Sequence, residues 1–384
     1  MHRRYLAALF VAAISCAVLP AAASAKLKLG VTSIAIQNRS PTLFYQNVNA
    51  LDMNVIRSQI NWANIASKKP HAPEDPNDKA YDWRALDKLV KESADWQTAI
   101  PNSGRVAIYD IWGTPRWARL YTGHVSFVPV PKTADFRHFV RAVAKRYNGT
   151  FVPAGSPAGT KPLPRITHWE IWNEPNNALG LAKPSKAKGK KNGVPAGAKA
   201  YVTLLNTAYG AIHGQDQPGK SKAQVIGGSV GGRTGIDHTT FYTAVLRAKG
   251  KMDAISIHPY SLLPGLGPTD GQPGKGFLYP FYRLGNFQRF TALVKHYRGG
   301  KFPIWVTELA WQVKSKTNVG GVTAKQQAAY FKAAVIRLRK FPQVQGMVWY
   351  MLRDEQNPAG WQSGLLNIHS AKRQIWFTWR DMKK

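Results

Sequence analysis

Cysteine is all but missing: the 384 residues contain a single one, Cys16. Acidic residues are also scarce, 20 against 53 Lys and Arg, which leaves a formal charge of +33. Only one long apolar run exists, from about Tyr5 to Leu19, and it falls short of the roughly 20 residues that span a bilayer. Each shortage excludes something. Arg3 and Arg4 precede the apolar run and "AAASA" follows it, so residues 1–25 read as a secretory leader cleaved after Ala25, with residues 26–384 as one exported domain and no transmembrane segment. The stretch "AISC" has the outline of a lipobox, but the apolar run continues past it. With Cys16 inside the leader, the mature chain would hold no disulfide and no cysteine-ligated metal. The cationic surplus draws polyanions, whether acidic polysaccharide, envelope phosphate or nucleic acid, or else suits the surface to its habitat.

Short β-branched runs alternate with amphipathic stretches along the rest of the chain. Eight of them read as strands: "LKLGVTSIAI", "MNVIRSQI", "RVAIYDIW", "ITHWEIW", "AQVIGGSV", "MDAISIH", "FPIWVTE" and "VQGMVWYM". Between them "YDWRALDKLVKESADW" places Leu86, Leu89 and Val90 on one helical face behind a capping Asp82, and "TAKQQAAYFKAAVIRLRK" does the same with Phe331, Val335 and Leu338. Strand and helix alternating eight times predict an α/β fold, a (β/α)8 TIM barrel. Two long segments are expected as βα loops on its active face: residues 181–197, carrying Lys183, Lys186, Lys188, Lys190 and Lys191, and the Gly- and Pro-rich residues 262–280.

In such a barrel, glutamates ending strands four and seven project over one mouth. Glu174, within "HWEIWNEPNN", and Glu308 hold those positions. Two carboxyls roughly 5 to 5.5 Å apart suit glycoside hydrolysis with retention, one protonating the leaving oxygen while the other attacks the sugar carbon. "WEIWNEPN", "GTPRWA", "ISIHPYS" and "VTELAW" together resemble the motif set of clan A glycoside hydrolases, closest to family 39, with family 5 as a neighbour. The resemblance runs from about Gly30 to the final "GLLNIHSAKRQIWFTW". It implies that Glu174 is the general acid/base, Glu308 the nucleophile, and Asn173 a hydrogen-bond partner of the sugar 2-hydroxyl. It further places His258 and Tyr260 against the nucleophile, and an aromatic platform at Trp349 or Tyr350.

The environment then has to separate the two acids. Trp172 and Pro175 are expected to raise the pKa of Glu174, and Arg57 at the end of strand two to keep Glu308 ionised. Glu170 reads as structural. Trp112 and Trp117 are candidates for further sugar subsites, since a ring face matches the apolar C–H patch of a pyranose. Trp62, Asn61, Asn176, Trp311, Arg116, Arg353 and Asp354 are weaker candidates at the mouth. No set of His and Asp has ligand spacing, so neither a metal nor another cofactor is expected. The chain thus reads as a secreted, monomeric hydrolase of β-linked polysaccharide or oligosaccharide, with acidic polymers among the candidate substrates. The competing reading is a non-catalytic extracellular binder of polyanions or polysaccharide on the same scaffold. Specific nucleic-acid binding ranks third, because the sequence shows no reading element.

Overall fold

Eight parallel strands close on themselves in chain order, in a computed structural model that describes residues 27–32, 34–120, 130–177, 181, 196–232, 235–261, 265–271, 280–315 and 317–382. They are β1 (Lys28–Thr32), β2 (Val55–Asn61), β3 (Val106–Trp112), β4 (His168–Ile171), β5 (Gln224–Val230), β6 (Ala254–Ile257), β7 (Ile304–Leu309) and β8 (Val344–Tyr350). The last pairs with the first, Lys28 through Thr32 against Gly346 through Tyr350, so no sheet edge is left open. Helices stand between successive strands. The architecture is the expected (β/α)8 barrel.

All eight expected strands are present, but the first ends early: after Thr32 the chain turns into the helix Ile34–Arg39. The expected leader, residues 1–25, lies outside the described residues, as do the five lysines at 183–191 and most of the segment 262–280. Among the described residues no helix is long and apolar enough to cross a membrane.

The helices form because their apolar positions recur at helical spacing and their ends are satisfied. Helix Arg84–Thr98 buries Leu86, Leu89, Val90 and Trp96. Its backbone begins one residue later than expected, with Asp82 accepting from the Arg84 N–H at 3.2 Å. Helix Ala324–Leu338 starts from a reciprocal cap in which Thr323 and Gln326 each accept from the other's backbone N–H, and it buries Phe331, Val335 and Leu338. Each such side chain contributes about 1.5–3 kcal/mol by leaving water.

The barrel interior is layered by chemistry. Its lower half is apolar, filled by Val55, Val106, Ile108, Ile226, Ala254, Trp305 and Val348. Two residues further along β2 and β3 the interior becomes ionic. Gln59, Asp110 and Glu170 stand abreast in register across β2, β3 and β4, with Arg57 inside the same layer. Charges that deep are retained only where they neutralise one another, and this layer is the floor of the site.

Candidate active site

The mouth of the barrel holds a cavity of about 490 Å³ whose wall includes Asn173, Glu174, His258, Tyr260, Glu308 and Tyr350. Glu174 reaches it because the chain turns sharply after β4. Trp172 and Glu174 take left-handed backbone conformations, with φ of 69° and 42°, which cost non-glycine residues energy and concentrate where function demands them. Neighbouring strands pin the turn: the Trp172 N–H donates to the Ile111 carbonyl at 2.9 Å and the Glu174 N–H to that of Ser229 at 3.1 Å. Glu308 arrives from β7, whose register against β8 shifts between Val306 and Leu309.

The two carboxyls face each other. One oxygen of each, together with a ring nitrogen of His258, lie within 4.8 Å of one another, in the range of a carboxyl pair that works by double displacement. Glu308 is held from both sides: Arg57 Nη1 donates to its Oε1 at 2.7 Å and the Tyr260 hydroxyl donates to its Oε2 at 3.1 Å. Glu174 accepts from His258 Nδ1 at 3.2 Å and from Asn177 Nδ2 at 3.3 Å. The other imidazole nitrogen meets Ser229 Oγ at 3.1 Å and Thr307 Oγ1 at 3.2 Å.

Arg57 anchors the floor. Its Nε donates to Glu170 at 2.5 Å, and its Nη2 is shared by Asn173 at 3.0 Å and Asp110 at 3.2 Å. It is 0% exposed, so rather than meeting substrate it bonds Glu308 and Asn173 from below. Burial opposes its charge, yet Glu170, Asp110 and Glu308 outweigh burial and raise its pKa further. Glu170, structural as expected, is held below its usual range because Arg57 foremost overcomes desolvation.

Glu174 departs from expectation. Burial does push its pKa up, but the hydrogen bond and charge of His258, then Asn177, push harder, and the net displacement is downward. The apolar neighbours Trp172 and Pro175 are outvoted by an imidazole that the sequence placed only against the nucleophile. His258 itself is raised, desolvation being overcome by the charge of Glu308 and the bond to Glu174. Glu174 and His258 thus form one unit that shares a proton across their contact.

Several expected subsite aromatics lie elsewhere. Trp349 is fully buried, donates its N–H to the Ser363 carbonyl at 2.8 Å and packs on Phe331, because the pleat sends it outward toward the helices. Its neighbour Tyr350 takes the cavity wall. Trp117 donates to the Ala66 carbonyl at 2.8 Å and sets its edge on Trp62. Trp112 is half-buried against the core, and neither it nor Trp117 belongs to the cavity lining. Of the weaker candidates only Trp311 lines the cavity. Trp62 is core, Asn61 accepts from the Asn64 N–H, Asn176 braces the Gly231 and Ile236 carbonyls, Arg116 is exposed, Arg353 donates to Ser370, and Asp354 pairs with Arg373.

Sequence reasoning missed Gln59, Arg283, Gln312 and Trp361, all in the wall. Gln59 was within reach, being one strand period beyond Arg57. Trp361 carried no signal: it comes from the irregular chain after β8, and its ring meets Tyr260 and Tyr350 edge-on at 5.7 and 5.5 Å between centroids. Tyr350, one of the two rings expected as the platform, thus shares the aromatic surface of the wall with Trp361.

Glu174, His258 and Glu308 have the spacing of a three-ligand metal site. The Arg57 guanidinium already bonds Glu308, and its charge opposes a second cation at the same oxygens. The arrangement therefore fits two cooperating acids better than a metal centre.

Comparison with known proteins agrees with that chemistry. Residues 142–375, more than half of the chain, match the family described as glycosyl hydrolase catalytic core. Among solved structures, a family 39 glycoside hydrolase from the gut symbiont Bacteroides cellulosilyticus WH2 is similar at 20% identity and a TM-score of 0.64, covering 93% of this chain and 63% of that one. This chain therefore spans less than two thirds of that protein's length. A monomeric β-xylosidase from Caulobacter crescentus CB15 is similar at 18% identity and 0.62, covering 93% and 68%. The family 39 enzyme from Xanthomonas axonopodis pv. citri is similar at 17% and 0.60, covering 94% and 68%. No curated protein sequence matches significantly. The barrel, its two facing glutamates and the extent of the family match lead to one conclusion: the chain belongs to the glycosyl hydrolase catalytic core family.

Proposed function

We propose that this protein is a retaining β-glycosidase that cuts polysaccharide outside the cell, with Glu308 as nucleophile and Glu174 as acid/base. The observation that carries the reading is the pair of carboxyls within 4.8 Å across a single cavity. A Glu308 oxygen attacks the anomeric carbon as the bond to the leaving oxygen breaks, and Glu174 gives that oxygen its proton. With Glu174 held low and His258 held high, the proton rests on His258 Nδ1 and passes through Glu174 to the leaving oxygen as the carboxylate of Glu308 attacks. Forming the ester removes that negative charge, so the proton affinity of the unit drops. Glu174 is then ionised and takes a proton from water, whose oxygen displaces Glu308. Asn173 accepts from Arg57 through its Oδ1 at 3.0 Å, and its amide N–H is the group that would donate to the sugar.

A β-linked substrate is supported by the printed activity of the Caulobacter β-xylosidase among the similar structures. The charge of +33 favours an acidic polymer, and the expected leader supports export. A binding protein would have no use for an anchored nucleophile facing a second acid. The test is to incubate the protein with neutral and acidic polysaccharides from pH 4 to 8, roughly spanning free and raised carboxyl pKa values, and to identify new reducing ends. Products are expected from at least one polymer and to vanish in Glu308→Gln while binding persists; unchanged turnover in that variant would reject the assignment.

A further inference from the structure

One buried acid in the floor has no task in the mechanism above. Asp110 is 0% exposed and sits on β3 between Gln59 and Glu170 in register. Its Oδ2 accepts one hydrogen bond, the 3.2 Å contact from Arg57 Nη2. That is the longest of the four Arg57 bonds, and its donor is shared with Asn173. Its Oδ1 is buried and meets no partner among the described residues.

The charged groups facing it are Arg57 from β2, Glu170 from β4, His258 beyond β6 and Glu308 from β7. With every acid ionised, Asp110, Glu170, Glu174 and Glu308 would set four negative charges against the two positive ones of Arg57 and His258. An excess of buried negative charge is removed most cheaply by protonating the member with the weakest partners. Glu170 has the shortest Arg57 bond and Glu308 has Arg57 and Tyr260. Glu174 has His258 and Asn177, which leaves Asp110.

We propose that Asp110 is kept as the neutral acid in the floor of the site, and that its neutrality reserves the Arg57 guanidinium for Glu308 and Asn173. It is a positioning residue acting through Arg57. As an acid its Oδ2 accepts from Arg57 like an amide carbonyl, and the orphaned Oδ1 carries a hydroxyl rather than half of an unbalanced charge. Burial foremost lifts its pKa, to about 8, against the pull of Arg57. The sign follows: an aspartate raised in the folded state stabilises fully only below its unfolded pKa, and that stability is lost as pH rises from the ordinary aspartate range to about 8.

The proposal deepens the proposed function, and its test is independent of turnover. Difference infrared spectra of wild type minus Asp110→Asn at pH 6 are expected to show a protonated-carboxyl band that titrates away near pH 8, where Asp110 ionises. Thermal melts are expected to show Asp110→Asn at least as stable as wild type at pH 6 and more stable at pH 9. On an active substrate, the variant should keep kcat/KM within about threefold at the optimum and lose part of the alkaline decline. A carboxylate band at pH 6, or a variant less stable at both pH values, would mean an ionised partner of Arg57 and would overturn the proposal. If the variant fails to fold, titration of the band in wild type alone decides between the same two outcomes.

Discussion

At the scale of single residues the site is governed by which partner is nearest. Glu174 and Glu308 were legible as carboxylates ending strands, Arg57 as a cation ending another, and His258 through the resemblance of its motif. Their electrostatics were not, because a pKa depends on what packs across the barrel, and the hand of His258 toward Glu174 is a tertiary fact. Arg57 shows how much rests on one cation. Removing one member of a buried ionic set typically costs about 3–5 kcal/mol, since the others are left uncompensated. His258 supplies the pH test. Its pKa is raised, so the stability it contributes is complete below the ordinary histidine range and disappears as pH rises through the raised value. Melting wild type and His258→Gln from pH 6 to 9 should show the wild-type advantage shrinking, by about 1.4 kcal/mol for each unit of the shift. An advantage constant with pH would mean that the imidazole is neutral throughout.

At the scale of elements, periodicity revealed every strand, and the failures lie where regular structure ends. The first strand stops at Thr32 although "SIAI" continues its β-branched pattern. After β8 the wall residue Trp361 comes from chain without a period, which no pattern locates. The turn after β4 works only because β5 leaves room for it. At Gly231, just past β5, an added Cβ would stand 2.1 Å from the Glu174 Oε1 and 3.0 Å from the His258 Cβ. Gly231→Ala should therefore displace the acid/base rather than unfold the barrel. Misplacing a reacting group by about 1 Å costs on the order of 100-fold, so kcat/KM is expected to fall at least tenfold with a nearly unchanged melting temperature. Full activity would show that Glu174 does not need its present position.

At the scale of the whole molecule, composition told of charge but not of where it acts. The surplus of +33 gives a long-range field, and such fields are screened beyond about 8 Å at physiological salt. If acidic polymer is the substrate, KM for it should rise severalfold between low and physiological salt while KM for a neutral polymer stays flat; equal responses would assign the charge to something other than substrate capture. The barrel itself followed from eight alternations, because closing a parallel sheet needs only that count and a helix on each crossover. Which sugar fits was not legible, since the wall also takes Gln59, Arg283, Gln312 and Trp361 from four separate parts of the chain. The most direct measurement is to trap the protein with a 2-fluoro glycoside bearing a good leaving group, on whichever sugar the polymer panel identifies, and map the labelled peptide by mass spectrometry. The sugar should be found as an ester on Glu308 and be absent from Glu308→Gln; a label on another residue, or an inverted product with no adduct, would contradict the double displacement.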